Sequence, residues 1–140
     1  MGRINMGRVV LGGLLAGLVV NASEFILNGV LLAKDMEDAM RALNRPPMDN
    51  SMIVWFTVLS FILTILSVWL YAAIRPRFGP GAKTAAVAGS AVWLLAYLYP
   101  SAAMGAMQLF PRKLLLIGIV WGLPEILIAT IVGAWVYKEA

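Results

Sequence analysis

Four long runs of apolar residues restrict what this chain can fold into. They cover residues 9–33, 52–74, 84–109 and 114–137, and short polar segments separate them. A helix rises about 1.5 Å per residue, so runs of this length cross the roughly 30 Å hydrocarbon core of a bilayer. Aromatic residues lie near their ends, Tyr97 and Tyr99 among them, as expected at a membrane–water interface. The sequence therefore predicts four transmembrane helices.

The composition is that of a membrane protein. Hydrophobic residues make up 61% of the chain and charged residues 13%, whereas a soluble domain is about half apolar and about a quarter charged. The polar segments are too short to fold alone. We predict one all-α domain over residues 1–140, an integral membrane bundle of four antiparallel helices in the bacterial inner membrane.

Missing residue types exclude several classes of function. The chain has no cysteine and no histidine, which removes disulfides, thiolate metal sites and the commonest metal and haem ligand. No nucleophile is paired with a base, so we predict no enzymatic activity, no catalytic residue, no metal and no cofactor. The net charge of +4 forms no basic patch with interleaved aromatic residues. This argues against nucleic acid and leaves the lipid bilayer as a partner.

The cationic residues of the short loops bear on orientation, because Lys and Arg favour the cytoplasmic side. With the N-terminus inside, six are cytoplasmic: Arg3, Arg8, Arg75, Arg77, Lys83 and Lys138. The other five are then outside: Lys34, Arg41, Arg45, Arg112 and Lys113. The loop from Arg75 to Lys83 contains no acid, whereas the segment from Lys34 to Asn50 contains four. We predict that both termini are cytoplasmic.

The longest loop has the pattern of an amphipathic helix over about residues 35–44. Met36, Ala39, Met40 and Leu43 recur at helical spacing, and charged residues occupy the opposite face. The proline pair at residues 46–47 ends the pattern. Two interpretations remain open: a solvated continuation of the first transmembrane helix, or an element lying in the membrane interface.

Three of the four runs place small or polar residues on one helix face, at intervals of three or four residues. In the first run they are Gly13, Gly17, Asn21, Glu24 and Asn28. In the second run they are Thr57, Ser60, Thr64, Ser67 and Tyr71. In the fourth run they are Gly118, Gly122, Glu125, Ala129 and Gly133.

Packing between helices explains most of these residues. Small residues let helix backbones approach closely within a membrane, and hydroxyl groups hydrogen-bond across helix interfaces. We therefore predict that the three faces point inward. The residues assigned to helix packing are Gly13, Gly17, Gly118, Gly133, Thr57, Ser60, Thr64 and Ser67.

Packing alone does not explain Glu24 and Glu125, because an ionised side chain at the bilayer centre costs about 2.5–3.5 kcal/mol on insertion scales. No Lys or Arg lies within any of the four runs, so a charged glutamate there needs a cation or a proton from outside. We predict a proton- or cation-binding site at Glu24 and Glu125, with Asn21 and Asn28 as hydrogen-bond partners of Glu24. The alternative is that both glutamates are protonated and donate hydrogen bonds in packing.

Prolines predict local distortions in two of the runs. A proline removes a backbone donor and its ring crowds a carbonyl oxygen of the preceding turn. We expect kinks at Pro100 and at Pro124, with Gly122 on the same turn as Pro124. The second kink places a flexible point beside Glu125, as in the interrupted helices of transporters.

Two resemblances accompany these patterns. In layout, and in the segment RKLLLIGIVWGLPEILIATIVGAWVYKE over residues 112–139, the chain resembles small uncharacterised four-helix membrane proteins of bacteria. That resemblance implies a fold and no activity. In small size, helix number and a glutamate in the first span, Glu24, it is also similar to the small multidrug resistance transporters, whose corresponding glutamate binds protons or cationic drugs. The chain differs from that family in its acidic first loop and in Glu125.

Two functional hypotheses follow. In the first, the chain is a homo-oligomeric transporter or channel for protons or small cations that uses the buried glutamates. In the second, it is a non-catalytic accessory or assembly subunit whose polar faces dock onto a larger membrane complex. Four helices make a thin wall for a pathway, so the transport hypothesis requires self-association.

Overall fold

The computed structural model describes residues 2–140, and the chain is 83% helical. Five helices occupy this range: α1 Met6–Leu31, α2 Ala33–Ala42, α3 Asn50–Phe78, α4 Ala82–Ala106 and α5 Arg112–Val136. Four of them, all except α2, are long and apolar enough to cross a membrane, as the sequence predicts. Their ends differ from the predicted ones by a few residues.

Capping side chains set where α1 and α3 begin. The Asn5 side chain accepts a hydrogen bond of 3.2 Å from the backbone N–H of Arg8, so α1 begins three residues earlier than its apolar run. The Asp49 side chain accepts one of 2.9 Å from the N–H of Met52. Each cap satisfies a donor that the first helical turn leaves free. These polar capping residues lie outside the apolar runs, so hydropathy alone does not locate the helix starts.

Helix α2 is the amphipathic element of the longest loop. It runs over Ala33–Ala42, and Leu32 separates it from α1. Its Ala39 is buried beside Leu114 of α5, and the exposed side carries an ion pair of 3.0 Å between Arg41 and Glu37. The apolar face of α2 therefore packs on the end of the helix bundle.

Two of the long helices contain a π-helical segment, Phe25–Leu31 in α1 and Leu94–Leu98 in α4. In these segments a backbone N–H donates to the carbonyl five residues earlier. The segment in α4 directly precedes Tyr99–Ala106, where Pro100 lacks an N–H. The π-helical segment of α4 therefore ends two residues before Pro100, where the sequence predicts a kink.

Glycines bring α1 against α3 and α5. A Cβ built at Gly13 would lie 2.5 Å from Cα of Ile65 in α3. One built at Gly12 would lie 2.5 Å from the carbonyl oxygen of Gly133 in α5. Gly17 also faces α3, and all four glycines are buried. These positions have no room for a side chain; Gly13, Gly17 and Gly133 are among the residues that the sequence assigns to helix packing.

Gly118 does not share this role within the chain. A Cβ built at Gly118 would meet nothing within 4 Å, and the residue is only half-buried. The predicted close approach at this position is therefore not made by another helix of the same chain, because the glycines that contact α1 lie further along α5.

The hydroxyl face of α3 points inward over its second half. Thr64 and Ser67 are fully buried, and the Thr64 hydroxyl donates a hydrogen bond of 2.8 Å to the carbonyl oxygen of Gly13 in α1. Thr57 and Ser60 are half-buried, and the Thr57 hydroxyl donates to a carbonyl oxygen of its own helix. Of these four residues, Thr64 forms the bond that crosses between helices.

The two chain ends lie together beside the loop between α3 and α4. Arg75 pairs with Glu139 at 2.8 Å, and its guanidinium carbon lies 5.7 Å from the ring centroid of Tyr137. The N–H of Ala140 donates to the carbonyl oxygen of Arg3 at 3.3 Å. Both termini are therefore at one end of the helix bundle.

Candidate functional site

The structure brings Glu24 and Glu125 together. Glu24 ends the α-helical part of α1, and Glu125 lies near the middle of α5. The two carboxyl groups are within hydrogen-bonding reach of each other. Glu125 is 5% exposed and Glu24 is half-buried, so the pair lies in the interior and opens towards the bundle surface at Glu24.

One oxygen of each carboxyl group is held by a neutral donor. The Tyr97 hydroxyl of α4 donates to Oε2 of Glu125 at 2.7 Å. The Asn28 side-chain amide donates to Oε2 of Glu24 at 2.5 Å. Oε1 of Glu125 is buried and accepts no hydrogen bond from the described residues. A buried oxygen without a donor is costly, and a proton held between the two carboxyl groups would remove that cost.

Both donors lie on the π-helical segments. Asn28 is four residues after Glu24, within Phe25–Leu31, and Tyr97 is within Leu94–Leu98. Isolated π-helical turns inside α-helices are frequent at functional sites. Here they set the positions of the two side chains that hold the carboxyl pair.

Gly122 creates the space that Tyr97 occupies. A Cβ built at Gly122 would lie 2.2 Å from Cδ1 of the Tyr97 ring. The sequence also predicts a kink at Gly122 and Pro124, and both residues lie inside α5, which runs from Arg112 to Val136. In the structure Gly122 therefore serves the approach of Tyr97 to Glu125.

Asn21 is not part of the cluster. Its side-chain amide donates to the carbonyl oxygen of Gly17 in its own helix at 2.8 Å. This hydrogen bond holds one N–H of the Asn21 amide within α1, and no hydrogen bond joins Asn21 to Glu24 among the described residues. Of the two predicted asparagine partners, Asn28 is the one whose amide donates a hydrogen bond to the carboxyl group of Glu24.

A second polar contact joins α1 to α5 next to the pair. The indole N–H of Trp121 donates to the hydroxyl of Ser23 at 2.8 Å. Ser23 precedes Glu24, and Trp121 lies one helical turn before Glu125. This bond fixes the two helices relative to each other at the level of the carboxyl groups.

Among residues 2–140, no cationic side chain forms an ion pair with Glu24 or Glu125. The groups that act on Glu24 are Glu125 and Asn28, with no Lys or Arg among them. The ion pairs in the described part of the chain join Arg41 to Glu37 and Asp38, and Arg75 to Glu139. Within residues 2–140 no group of three or more metal-ligating acids forms either. Two carboxyl groups in this arrangement can share a proton or hold a single small cation.

Sequence reasoning missed Tyr97 as a site residue and placed it at a membrane interface. Helical spacing shows which residues share a face of one helix, whereas the contact with Glu125 joins different helices. A π-helical turn also shifts the face on which later residues lie, and apolar periodicity does not report it. The sequence therefore carries no signal for the contact between Tyr97 and Glu125.

Comparisons with protein-family models, with curated proteins and with solved structures find no match to this chain. The functional interpretation therefore depends on the geometry of the carboxyl pair.

Proposed function

We propose that this chain is an integral membrane protein whose Glu24–Glu125 pair binds and exchanges protons, and that it transports protons or small cations as a homo-oligomer. The single observation that carries the proposal is the pairing of two carboxyl groups, one of them with a buried oxygen that lacks a donor. Two carboxylates this close repel each other, and one proton relieves the repulsion.

The membrane part of the proposal is supported by four helices of spanning length. Gly12 of α1 faces Gly133 of α5, while Ser23 of α1 bonds Trp121 of α5. Residue numbers therefore increase along one helix as they decrease along the other, which supports an antiparallel bundle. Two glutamates in such a bundle are expensive to bury, and ionisable residues within membrane helices commonly mark ion or proton pathways.

Self-association is supported by the uneven burial of the pair. Glu125 is buried, but Glu24 is half-buried on the outside of the bundle. Lipid is a poor neighbour for a carboxyl group, whereas a second copy of the chain can cover it and enclose a polar path.

We further propose that both termini face the cytoplasm of a bacterial cell. The Arg75–Glu139 pair and the contact between Ala140 and Arg3 gather the termini and the α3–α4 loop at one end. That end also has the larger share of loop cations, six of the eleven in the sequence. The positive-inside rule then favours the cytoplasm for this end.

Proton flux into vesicles reconstituted with the purified chain tests this function. With a potassium diffusion potential as the driving force and a pH-sensitive dye inside, wild-type vesicles should acidify faster than protein-free vesicles. Glu24→Gln and Glu125→Gln should abolish the difference, because glutamine has nearly the same shape but cannot carry the exchanged proton. Glu37→Gln is the matched control, since Glu37 is exposed on α2.

Wild-type flux equal to that of protein-free vesicles would contradict the transport proposal, as would full flux in Glu24→Gln. Native mass measurement after gentle extraction separates the alternative role. A discrete homo-oligomer supports transport, whereas unrelated chains in fixed stoichiometry would indicate an accessory subunit of a larger membrane complex.

A further inference from the structure

We infer that Tyr97 is a positioning residue that directs the exchanged proton to Oε1 of Glu125. This inference rests on the proposed function and assigns the oxygen at which that function operates. It follows from the hydrogen bonds of the cluster and from the contact between Tyr97 and Gly122.

Hydrogen-bond donors are unevenly distributed over the two carboxyl oxygens of Glu125. The Tyr97 hydroxyl has one proton to donate, and it donates it to Oε2 of Glu125 at 2.7 Å. Oε2 is thereby occupied, while Oε1 of the same group is buried and without a donor. The arriving proton therefore forms its O–H bond at Oε1, the oxygen on which it satisfies an unpaired acceptor.

The carboxyl group of Glu24 is held in a similar way. Its Oε2 accepts from Asn28, so this carboxyl group also has one oxygen held by a neutral donor. The carboxyl groups face each other within hydrogen-bonding reach. A proton can then pass between Glu125 and Glu24. The ionisable group that acts on Glu24 is Glu125, and those that act on Tyr97 are the two glutamates.

The exchange balances without another reactant. Hydronium gives a proton to the half-exposed carboxylate of Glu24 and becomes water. Glu24 passes that proton to the carboxylate of Glu125, which becomes a carboxylic acid. Release reverses the step. The O–H bond of Tyr97 is neither made nor broken, so its role is to hold Oε2 and fix the orientation of the carboxyl plane.

The contact with Gly122 fixes the position of the Tyr97 ring. Its ring packs over Gly122, where an added Cβ would lie 2.2 Å from Cδ1. Cδ1 is close to the backbone of Tyr97, so the ring cannot avoid the added methyl group by rotating its hydroxyl end alone. Gly122→Ala should therefore move the hydroxyl away from Glu125 without changing any hydrogen-bonding group.

Infrared difference spectroscopy of the full chain in lipid vesicles tests the assignment. In a Glu24→Gln background the buried carboxyl band belongs to Glu125. A carboxyl group that loses a donor absorbs at higher frequency, so Tyr97→Phe and Gly122→Ala should each shift this band upwards. In the Glu24-containing chain both should reduce proton flux about tenfold to a hundredfold, the range expected for a hydrogen bond to a charged group.

Tyr99→Phe is the matched control. Tyr99 carries the same hydroxyl two residues later but is 72% exposed, so band and flux should stay at wild-type values. A Glu125 band that keeps its frequency in both Tyr97→Phe and Gly122→Ala would overturn the inference while leaving proton exchange intact. Wild-type carboxyl bands that do not respond to pH would instead overturn the proposed function and the inference with it. If Tyr97→Phe fails to assemble, the Gly122→Ala band decides.

Discussion

An added side chain would have different effects at two glycines, Gly17 and Gly118. At Gly17, an added Cβ would lie 2.3 Å from the Phe61 ring and 3.0 Å from Oγ1 of Thr64, so any side chain there separates α1 from α3. At Gly118, an added Cβ meets nothing. Both residues belong to regular glycine patterns in the sequence, so spacing alone cannot distinguish them.

We expect Gly17→Leu to destabilise the bundle by about 1–3 kcal/mol or more, the usual cost of forcing extra volume into a packed interface. Gly118→Leu is the matched variant and should leave the thermal stability of the isolated chain unchanged. Thermal unfolding in detergent, followed by circular dichroism, measures both. Wild-type stability in Gly17→Leu would show that α1 and α3 do not pack as described. A change of oligomeric state in Gly118→Leu would place Gly118 between copies.

At the scale of elements, the four long helices could be predicted because an apolar run of sufficient length has few other ways to satisfy its backbone in lipid. The amphipathic loop helix could be located for a related reason, since its apolar residues recur at helical spacing. The ends were less predictable. Polar caps such as Asn5 extend α1 beyond its apolar run.

The π-helical segments could not be predicted. They depend on whether each backbone N–H donates to the carbonyl four or five residues earlier, and the residue pattern of Phe25–Leu31 or Leu94–Leu98 does not specify which. The site depends on them, because they carry Asn28 and Tyr97. The two glutamates were identifiable from the cost of placing charge in a membrane helix. Their pairing, and the third helix that holds it, emerge only when the helices are packed.

At the scale of the whole molecule, the shared position of the two termini predicts the result of a topology experiment. Reporter fusions at Ala140 and within the segment from Asp35 to Asn50 should give opposite signals, cytoplasmic at Ala140 and periplasmic in the loop. The reason is the larger number of cations at the end that holds both termini. A periplasmic signal from the Ala140 fusion would reverse the proposed orientation.

Proton exchange depends on the packing of the whole molecule, because the Glu24–Glu125 pair joins α1 to α5 and Glu24 is only half-buried. Infrared difference titration of the wild-type chain in lipid, with Glu24→Gln and Glu125→Gln, tests it most directly. We predict carboxyl bands that titrate between about pH 4 and about pH 9, a window that brackets the ordinary glutamate value. Removing either glutamate should change the band of the other, because the two carboxyl groups interact directly. Glu37→Gln should remove only its own band. Bands of Glu24 and Glu125 that never titrate in this window would contradict the proposal and leave both as permanently protonated packing residues.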